Sequence, residues 1–218
     1  MRNLLSMDIQ GIVLKIPAIL IAFTFHEYAH AYMADKLGDK TPRFQGRLTF
    51  NPIAHIDPIG FLLILVAGFG WAKPVQTNPS AYKRYYKDDL KVSFAGPLAN
   101  LIVALVFSII FGIYLKFGNY IPNASLASIL WKIIFNVIYI NIILFFFNLI
   151  PLPGLDGFHI LRDLFPKVFY QFGDFIYRYQ MVILIIFIMT PISNVLIGYP
   201  TEFVLEKLLK ITSLIAKI

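Results

Sequence analysis

Residues Ile9–Ala34 read IQGIVLKIPAILIAFTFHEYAHAYMA, and they are the most informative part of the chain. They are mostly apolar, and at 1.5 Å per residue a helix of this length can cross a hydrocarbon layer of about 30 Å. The stretch therefore predicts a transmembrane helix. Three side chains that can take part in metal chemistry lie inside it: His26, Glu27 and His30.

The spacing of these three residues predicts a zinc site. His26 and His30 are four residues apart, so both project from one face of a helix and can bind the same ion. Glu27 is placed to take a proton from a water molecule that zinc has made acidic. A charged side chain at the centre of an apolar helix costs roughly 2.5–3.5 kcal/mol. We therefore favour metal binding, with Glu27 as the catalytic base, over a chance triad satisfied within the protein core.

The composition of the chain supports a membrane protein. Of its 218 residues, 58% are hydrophobic and 14% are charged, and the mean hydropathy is +0.72. A soluble protein of this size could not bury so much apolar surface. The net charge of +7 comes from basic residues between the apolar runs, as in loops that face anionic lipid, and predicts no nucleic-acid partner. The chain has no cysteine, which excludes disulfides and thiolate chemistry.

Further apolar segments predict the rest of the fold. We expect three more transmembrane helices, at Val92–Leu115, Ala127–Ile150 and Gln180–Leu196. Phe61–Trp71 is shorter and flanked by glycines, which favours a re-entrant or interfacial segment. From Thr201 onward a stripe at helical spacing predicts an amphipathic helix on the membrane surface. The stripe consists of Val204, Leu208, Ile211, Ile215 and Ile218.

The predicted fold class is an all-α integral membrane protein. It has about four transmembrane helices, a re-entrant segment over residues 59–71 and a C-terminal amphipathic helix. Residues 1–200 would form the polytopic membrane core, and residues 201–218 the amphipathic helix.

A catalytic zinc ion needs a third protein ligand and keeps one position for water. Asp156 is the best candidate, because it follows an abrupt helix end at Pro151–Gly154 and precedes Gly157. Asp156 could also be the N-cap of a helix over Gly157–Leu164, and the two roles are compatible. The competing ligand candidates are His55, Asp57, His159 and Asp163.

Three blocks of this sequence resemble the site-2 protease family of intramembrane metalloproteases, peptidase family M50. They are Phe25–His30, Ala95–Asn100 and Asn148–Gly157. Together with Gly46–Pro58 and Gly70–Val75, they are similar to the small branch of the family that lacks a PDZ domain. The ordered combination is far more specific than the histidine motif alone.

The resemblance implies a zinc-dependent endopeptidase that hydrolyses peptide bonds in or near the transmembrane segments of membrane proteins, as in regulated intramembrane proteolysis. It implies one Zn²⁺ per chain, with Glu27 as the base and Asn148 holding the extended substrate. The implied zinc ligands are His26, His30 and Asp156. The candidates for contacts that orient these ligands are His55, Asn100 and His159.

The ligand positions also predict a topology. His30 and Asp156 lie near the C-terminal ends of two predicted helices, so these helices must cross the membrane in the same direction. Two helices that cross in the same direction need an odd number of crossings between them. The helix at Val92–Leu115 supplies one crossing, so Phe61–Phe69 should not be a second one. The loops on the ligand side carry most of the basic residues, and the positive-inside rule makes that side cytoplasmic. At 1.5 Å per residue from Ala34 back to the histidines, the zinc would lie about 5–12 Å inside the cytoplasmic end of the first helix.

Two other kinds of function would use the same ligands. A metal transporter would need ionisable residues on several helices along a path, and the later apolar helices have few. A scaffold without catalytic activity would not need all four of the predicted site residues. We therefore expect a protease of the cell (plasma) membrane whose partners are transmembrane protein substrates and the lipid bilayer.

Overall fold

The structure is a computed structural model that describes residues 9–67 and 70–217. Gly68, Phe69 and Ile218, which belong to the predicted re-entrant segment and apolar stripe, lie outside the described residues. The described α-helices are α1 (Ile9–Leu37), α2 (Thr41–Phe44), α3 (Pro58–Ala67), α4 (Tyr85–Phe117), α5 (Ala124–Asn148), α6 (Asp156–Leu164), α7 (Pro166–Arg178), α8 (Gln180–Met189) and α9 (Tyr199–Lys217).

Three helices of the described chain, α1, α4 and α5, are long and apolar enough to cross a membrane. They confirm the predicted helices at Ile9–Ala34, Val92–Leu115 and Ala127–Ile150. α4 begins earlier than predicted, at Tyr85, and its first turns carry acidic residues. The prediction followed hydropathy, which shows only the part of a helix that meets lipid. The helix itself continues beyond the apolar run into polar sequence.

α1 and α4 pack against each other and run antiparallel. The side-chain amide of Asn100 donates to the carbonyl oxygen of Ala22 at 3.1 Å. Further along α1, His30 Nδ1 lies 2.8 Å from the carbonyl oxygen of Val92. Residue numbers therefore rise along α1 as they fall along α4.

α5 runs parallel to α1. Near the start of α1, Asn136 Nδ2 donates to the carbonyl oxygen of Leu14 at 3.4 Å. At the level of Ala22, Asn100 Nδ2 also donates to Asn141 Oδ1 at 2.8 Å, and Asn141 is fully buried. The C-terminal ends of α1 and α5 therefore lie on the same side of the bundle, as the positions of the ligands predicted.

The fourth predicted span is not one continuous helix. Within Gln180–Leu196, α8 ends at Met189 and Thr190 has an extended backbone. Pro191 accounts for this break, because proline has no N–H to donate and disfavours the helical conformation in the residue before it. A helix of 10 residues is about 15 Å long, which is too short to cross the hydrocarbon.

The C-terminal helix also differs from its prediction. An amphipathic helix is present as α9, but its apolar stripe packs on α4 and α5 instead of facing the membrane surface. Leu208 is buried in a cluster with Ala104 and Ile138. Thr212 Oγ1 donates to the carbonyl oxygen of Ser108 at 2.9 Å. Apolar residues at helical spacing define a face but not what covers it, which is why the sequence could not show this partner.

The segment predicted to be re-entrant forms a hairpin whose two ends meet. Its helix, α3, has 10 residues and is about 15 Å long. Ile56 before α3 and Ala72 after it form an antiparallel β-bridge. Gly60 and Gly70 come so close that a Cβ on Gly70 would lie 2.0 Å from the Gly60 carbonyl oxygen. The chain therefore enters and leaves this hairpin at one place.

Candidate metal centre

Three donor atoms converge where α1, α4 and α6 meet. His30 Nε2 lies 3.0 Å from His26 Nε2. Asp156 Oδ2 lies 3.2 Å from His26 Nε2 and 3.3 Å from His30 Nε2. Donor atoms of these three residues all lie within 4.8 Å of one another. A catalytic zinc ion typically uses three protein donors, which are imidazole nitrogens and carboxylate oxygens of this kind.

Each histidine is oriented through its other ring nitrogen. His26 Nδ1 lies 2.8 Å from Asn100 Oδ1, and His30 Nδ1 lies 2.8 Å from the carbonyl oxygen of Val92. Both oxygens can only accept, so we assign the proton to Nδ1 in each ring, and Nε2 keeps its lone pair for a metal. Asn100 is fully buried and is fixed by the bonds that its amide group donates to α1 and α5.

Asp156 reaches the site from a different part of the chain. The turn after α5 includes Gly154, whose φ of +88° suits glycine. α6 begins at Asp156 with Leu155 as its N-cap, so the alternative in which Asp156 is the N-cap is wrong. Gly157 lets α6 pack on the end of α5, because a Cβ there would lie 2.3 Å from the Leu149 carbonyl oxygen.

One oxygen of Asp156 supports the assignment of a metal site. Its Oδ2 atom is buried and has no hydrogen-bond donor within the described part of the chain. Leaving a buried carboxylate oxygen without a partner is unfavourable. A cation held between this oxygen and the two Nε2 atoms would satisfy all three groups, so the residues present fit a bound zinc ion.

Gly96 of α4 makes room for the imidazole rings. A Cβ at this position would lie 2.2 Å from His30 Nε2 and 2.7 Å from His26 Cε1. Both distances are far inside van der Waals contact. α4 can approach the two histidines this closely only because residue 96 has no side chain.

Glu27, the predicted base, is buried. Its carboxylate is held by one group from the loop before the hairpin and one from the segment after it. Its Oε2 atom accepts from the backbone N–H of Val75 at 2.8 Å and lies 3.8 Å from Arg47 Nη2. The guanidinium of Arg47 also donates to the carbonyl oxygens of Ala54 and Lys73. Burial lowers the pKa of Arg47 from its ordinary value, and the charge of Glu27 acts in the opposite direction. Arg47 thus links both sides of the hairpin to the carboxylate.

Two of the predicted residues make local contacts near the ends of helices. Asn148 is the last residue of α5, and its side-chain amide donates to the carbonyl oxygen of Leu144 at 2.9 Å. Asp57, a rival for the third ligand position, accepts from the backbone N–H of Gly60 at 2.8 Å. Neither residue belongs to the group of convergent metal donors.

The remaining candidates also lie outside the convergent group. His55 is fully buried and its Nε2 lies 2.8 Å from the Thr49 carbonyl oxygen. His159 is half-buried on α6, and burial lowers its pKa, with the charge of Arg162 adding to that effect. Asp163 accepts from Arg162 Nε at 2.8 Å, so this carboxylate already has a cationic partner.

Comparison with known proteins agrees with this geometry. The family model described as "Peptidase family M50" matches residues 15–191. The Bacillus subtilis (strain 168) protein named "Putative zinc metalloprotease YwhC" is 40% identical over 176 residues, which cover 81% of this chain and 80% of that protein.

More distant relatives carry similar names. "Putative zinc metalloprotease MJ0611" of Methanocaldococcus jannaschii is 30% identical over 152 residues, 69% of this chain and 70% of that protein. "Putative zinc metalloprotease Rip2" of Mycolicibacterium smegmatis is 27% identical over 155 residues, and the match spans 56% of its length. No solved structure matches the chain significantly. With its three apolar helices and its His–His–Asp group, this chain belongs to peptidase family M50 and is a multi-pass membrane zinc metalloprotease whose cofactor is Zn²⁺.

Proposed function

We propose that this metalloprotease is an intramembrane endopeptidase, which cleaves transmembrane protein substrates within or beside their membrane-spanning segments. In this proposal Glu27 is the base and Asn148 helps to hold the substrate. One zinc ion is held by His26, His30 and Asp156.

The depth of the ligands carries this proposal. His26 and His30 lie inside α1, which continues to Leu37. At 1.5 Å per residue, His30 is about 10 Å from that helix end. Both histidines are buried against α4, so a scissile carbonyl would have to enter the helix bundle to reach them. A transmembrane segment next to the bundle is already at this depth.

The residues of the site divide the chemical work. When bound, zinc supplies a Lewis acid that polarises a carbonyl and lowers the pKa of a water molecule. Asn100 and the Val92 carbonyl keep the two imidazole rings aimed at one point. Glu27 takes a proton from the attacking water and later delivers a proton to the departing amine. Arg47 and the Val75 N–H hold the Glu27 carboxylate in position.

The segment Trp71–Val75 offers a surface for the substrate. It is tied to the loop by the bridge between Ile56 and Ala72, and its Val75 N–H contacts the catalytic carboxylate. We propose that an unwound substrate segment pairs with the backbone here, as in β-augmentation, and so brings its carbonyls to Glu27. Asn148 would add a side-chain hydrogen bond to the same substrate backbone.

The distribution of charge sets the proposed orientation. Under the positive-inside rule, the side with the basic loops is cytoplasmic. The protein would therefore cut near the cytoplasmic face of the cell membrane. The basic residues on the ligand side are Lys36, Lys40, Arg43, Arg47, Lys73, Lys83, Arg84, Lys87, Lys91, Arg162, Lys167 and Arg178.

A model substrate with one transmembrane helix tests the proposal. Unwinding a helix in hydrocarbon leaves unsatisfied backbone groups, each of which costs roughly several kcal/mol. We therefore expect cleavage within a few residues of the cytoplasmic boundary, beside helix-weakening residues. Replacing glycine or proline near the cut with leucine should slow cleavage, whereas changes in the flanking soluble loop should have little effect. Mass spectrometry of the products locates the cut.

The Glu27→Gln enzyme is the matched control in this assay, because it shows which products depend on the proposed base. A cut that lies in a soluble region far from the membrane and is indifferent to helix strength would contradict intramembrane cleavage. That result would leave the assignment to the zinc metalloproteases intact.

A further inference from the structure

α6 brings Asp156 to the metal centre, and a second contact between α6 and α4 lies further along both helices. Arg162 Nη2 of α6 donates to Asp89 Oδ2 of α4. The same guanidinium donates through Nε to Asp163 Oδ1 at 2.8 Å. One arginine thus bridges carboxylates that belong to two helices. We refer to Asp89, Arg162 and Asp163 as the ion cluster.

The ion cluster is buried between the helices. The side chains of Asp89, Arg162 and Asp163 are only 5%, 14% and 0% exposed. A buried ion pair adds little net stability, because the cost of removing the charges from water offsets their attraction. The planar guanidinium donates in fixed directions, however, so it holds its partners in one relative orientation. The cluster therefore contributes to the orientation of α6 more than to the stability of the fold.

The ion cluster and the metal centre lie on matching faces of the two helices. Asp156 and Asp163 are seven residues apart on α6, and so are Asp89 and Gly96 on α4. Seven residues make almost two full turns, so each pair shares one face and is separated by about 10 Å along its helix. Gly96 lies against the same histidine rings that Asp156 contacts. The two helices are therefore antiparallel and are linked at two levels, once through the histidine rings and once through the ion cluster.

The second link restricts how α6 can turn about its own axis. Gly157 packs the first turn of α6 on the end of α5, but a helix that is held at one end can still turn and tilt. A side-chain oxygen about 5 Å from the helix axis moves by roughly 2 Å when the helix turns by about 20°. Metal–ligand distances tolerate changes of only about 0.2 Å. The position of the Asp156 carboxylate beside His26 and His30 therefore depends on how α6 is held further along.

We propose that the ion pair between Asp89 and Arg162 positions Asp156 for the metal, by holding α6 on α4 at the rotation that the site requires. The members of the ion cluster are then positioning residues, because none of them belongs to the group of convergent metal donors. This inference rests on the proposed role of Asp156 as a zinc ligand. It implies that loss of the ion pair disturbs the metal centre from about 10 Å away.

Two neighbouring carboxylates of α4 provide a matched pair of variants. Asp89→Ala removes the contact with α6. Asp88→Ala removes an equally buried carboxylate whose partners, Arg84 and Lys91, lie beside it in the same stretch of chain. We expect Asp89→Ala to lower the zinc affinity about tenfold, the smaller end of the effect of losing an outer contact of a ligand, and Asp88→Ala to leave it unchanged. Competition with a chelator of known affinity, on the purified whole chain, measures both.

Cobalt(II) in place of zinc reports the geometry of the site, since its visible absorption depends on the number and arrangement of its ligands. We expect Asp89→Ala to change the spectrum per bound ion and Asp88→Ala to leave it as in the wild type. A loss of fold stability alone would reduce the amount of loaded protein without changing that spectrum. Arg162→Lys keeps the charge but loses the guanidinium contact to both carboxylates, so its spectrum and zinc affinity should lie between those of the wild type and Arg162→Met.

Asp156→Ala in the same zinc titration separates this inference from the ligand assignment. If Asp156→Ala loses zinc affinity and Asp89→Ala does not, the ion cluster does not position the ligand and the inference is overturned. If Asp156→Ala keeps the affinity of the wild type, Asp156 is not a ligand and both proposals are overturned. Equal effects of Asp88→Ala and Asp89→Ala, or a wild-type cobalt spectrum in Asp89→Ala, also overturn the inference. Should Asp89→Ala fail to accumulate in the membrane, the milder Arg162→Lys decides by the same spectrum.

Discussion

Asn100 has a role both in the fold and at the metal centre. Its amide donates to the Ala22 carbonyl and to Asn141, while its oxygen lies within hydrogen-bond distance of His26. A buried amide in an apolar bundle needs partners for all its groups, and here they come from the two helices that pack on α4, namely α1 and α5. The direction in which His26 points therefore depends on the correct assembly of α1, α4 and α5.

Glu27→Gln is expected to retain zinc and the fold but to lose proteolysis. The amide has nearly the shape of the carboxylate and can still accept from the Val75 N–H, but it cannot take up a proton. General-base catalysis contributes about 10²–10⁴-fold, so the turnover number should fall by that factor. Turnover of a model substrate is the measurement, with zinc content as the control. Activity near that of the wild type would show that another residue is the base.

Gly96→Ala is expected to weaken zinc binding severely. The added methyl group would lie 2.2 Å from His30 Nε2, so α4 and the histidines must move apart. Displacement of a ligating nitrogen should lower zinc affinity by at least about 10–100-fold, which is the effect of losing an outer contact of a ligand. Gly198→Ala is the control, because the nearest side-chain atom to a Cβ there, Asn194 Cβ, would lie at an ordinary 3.8 Å. Equal zinc affinity in both variants would refute the steric role of Gly96.

At the scale of single residues, the sequence predicted the groups that carry a known motif. His26, Glu27, His30 and Asp156 belong to such patterns, and the structure brings the two histidines and the aspartate together. The contact between His30 and the Val92 carbonyl could not be predicted, because every residue has a carbonyl. Arg47 was missed since it lies in a polar loop. The one signal for it was the need of a buried Glu27 for a cationic partner.

At the scale of elements, we expect His55 to make the loop of residues 46–58 sensitive to pH. Burial lowers its pKa below the ordinary value, and the nearby Arg47 adds to that effect. At a pH well above about 6.5, His55 is neutral in both the folded and the unfolded loop, so it adds no pH dependence. Below that pH only the unfolded loop gains a proton readily, and the folded loop loses up to about 1.4 kcal/mol of stability per pH unit.

We therefore expect hydrogen exchange in residues 46–58 to accelerate as the pH falls from 7 to 5, after correction for the intrinsic exchange rate. His55→Asn should remove most of this pH dependence, because asparagine does not titrate in this range. His159→Asn is the control, since His159 lies on α6 and not in this loop. An unchanged pH profile in the His55→Asn protein would assign the effect to another group.

Helix positions could be predicted well where apolar runs are long. The three helices α1, α4 and α5 were found, because about 20 apolar residues in a row are typical of membrane-spanning helices and rare elsewhere. The interruption after Met189 was overlooked, although Pro191 was a visible signal for it. The packing of α9 on α4 and α5 could not be predicted, because contacts between helices far apart in sequence leave no local pattern.

At the scale of the whole molecule, the directions of the helices set where the chain should appear on each side of the membrane. We expect single cysteines at Gln45 and Lys83 to be labelled from the same side, and one at Lys116 from the opposite side. Lys217 should share the side of Lys116, because α9 runs parallel to α4. A membrane-impermeant thiol reagent on intact and opened cells makes the measurement. Labelling of Gln45 and Lys83 from opposite sides would refute the topology.

The arrival of Asp156 on a separate helix has a consequence for the lifetime of the protein. A zinc ion shared by α1 and α6 would act as a cross-link between distant parts of a chain that has no disulfide. The free energy of metal binding is then also free energy of folding. Removal of zinc by a chelator should loosen α6 and α7, while the Asn100 contacts keep α1, α4 and α5 together and the Leu208 cluster keeps α9 on α4. An enzyme without its metal would thus expose the loosened helices to cellular proteases, so that its abundance would follow the zinc supply.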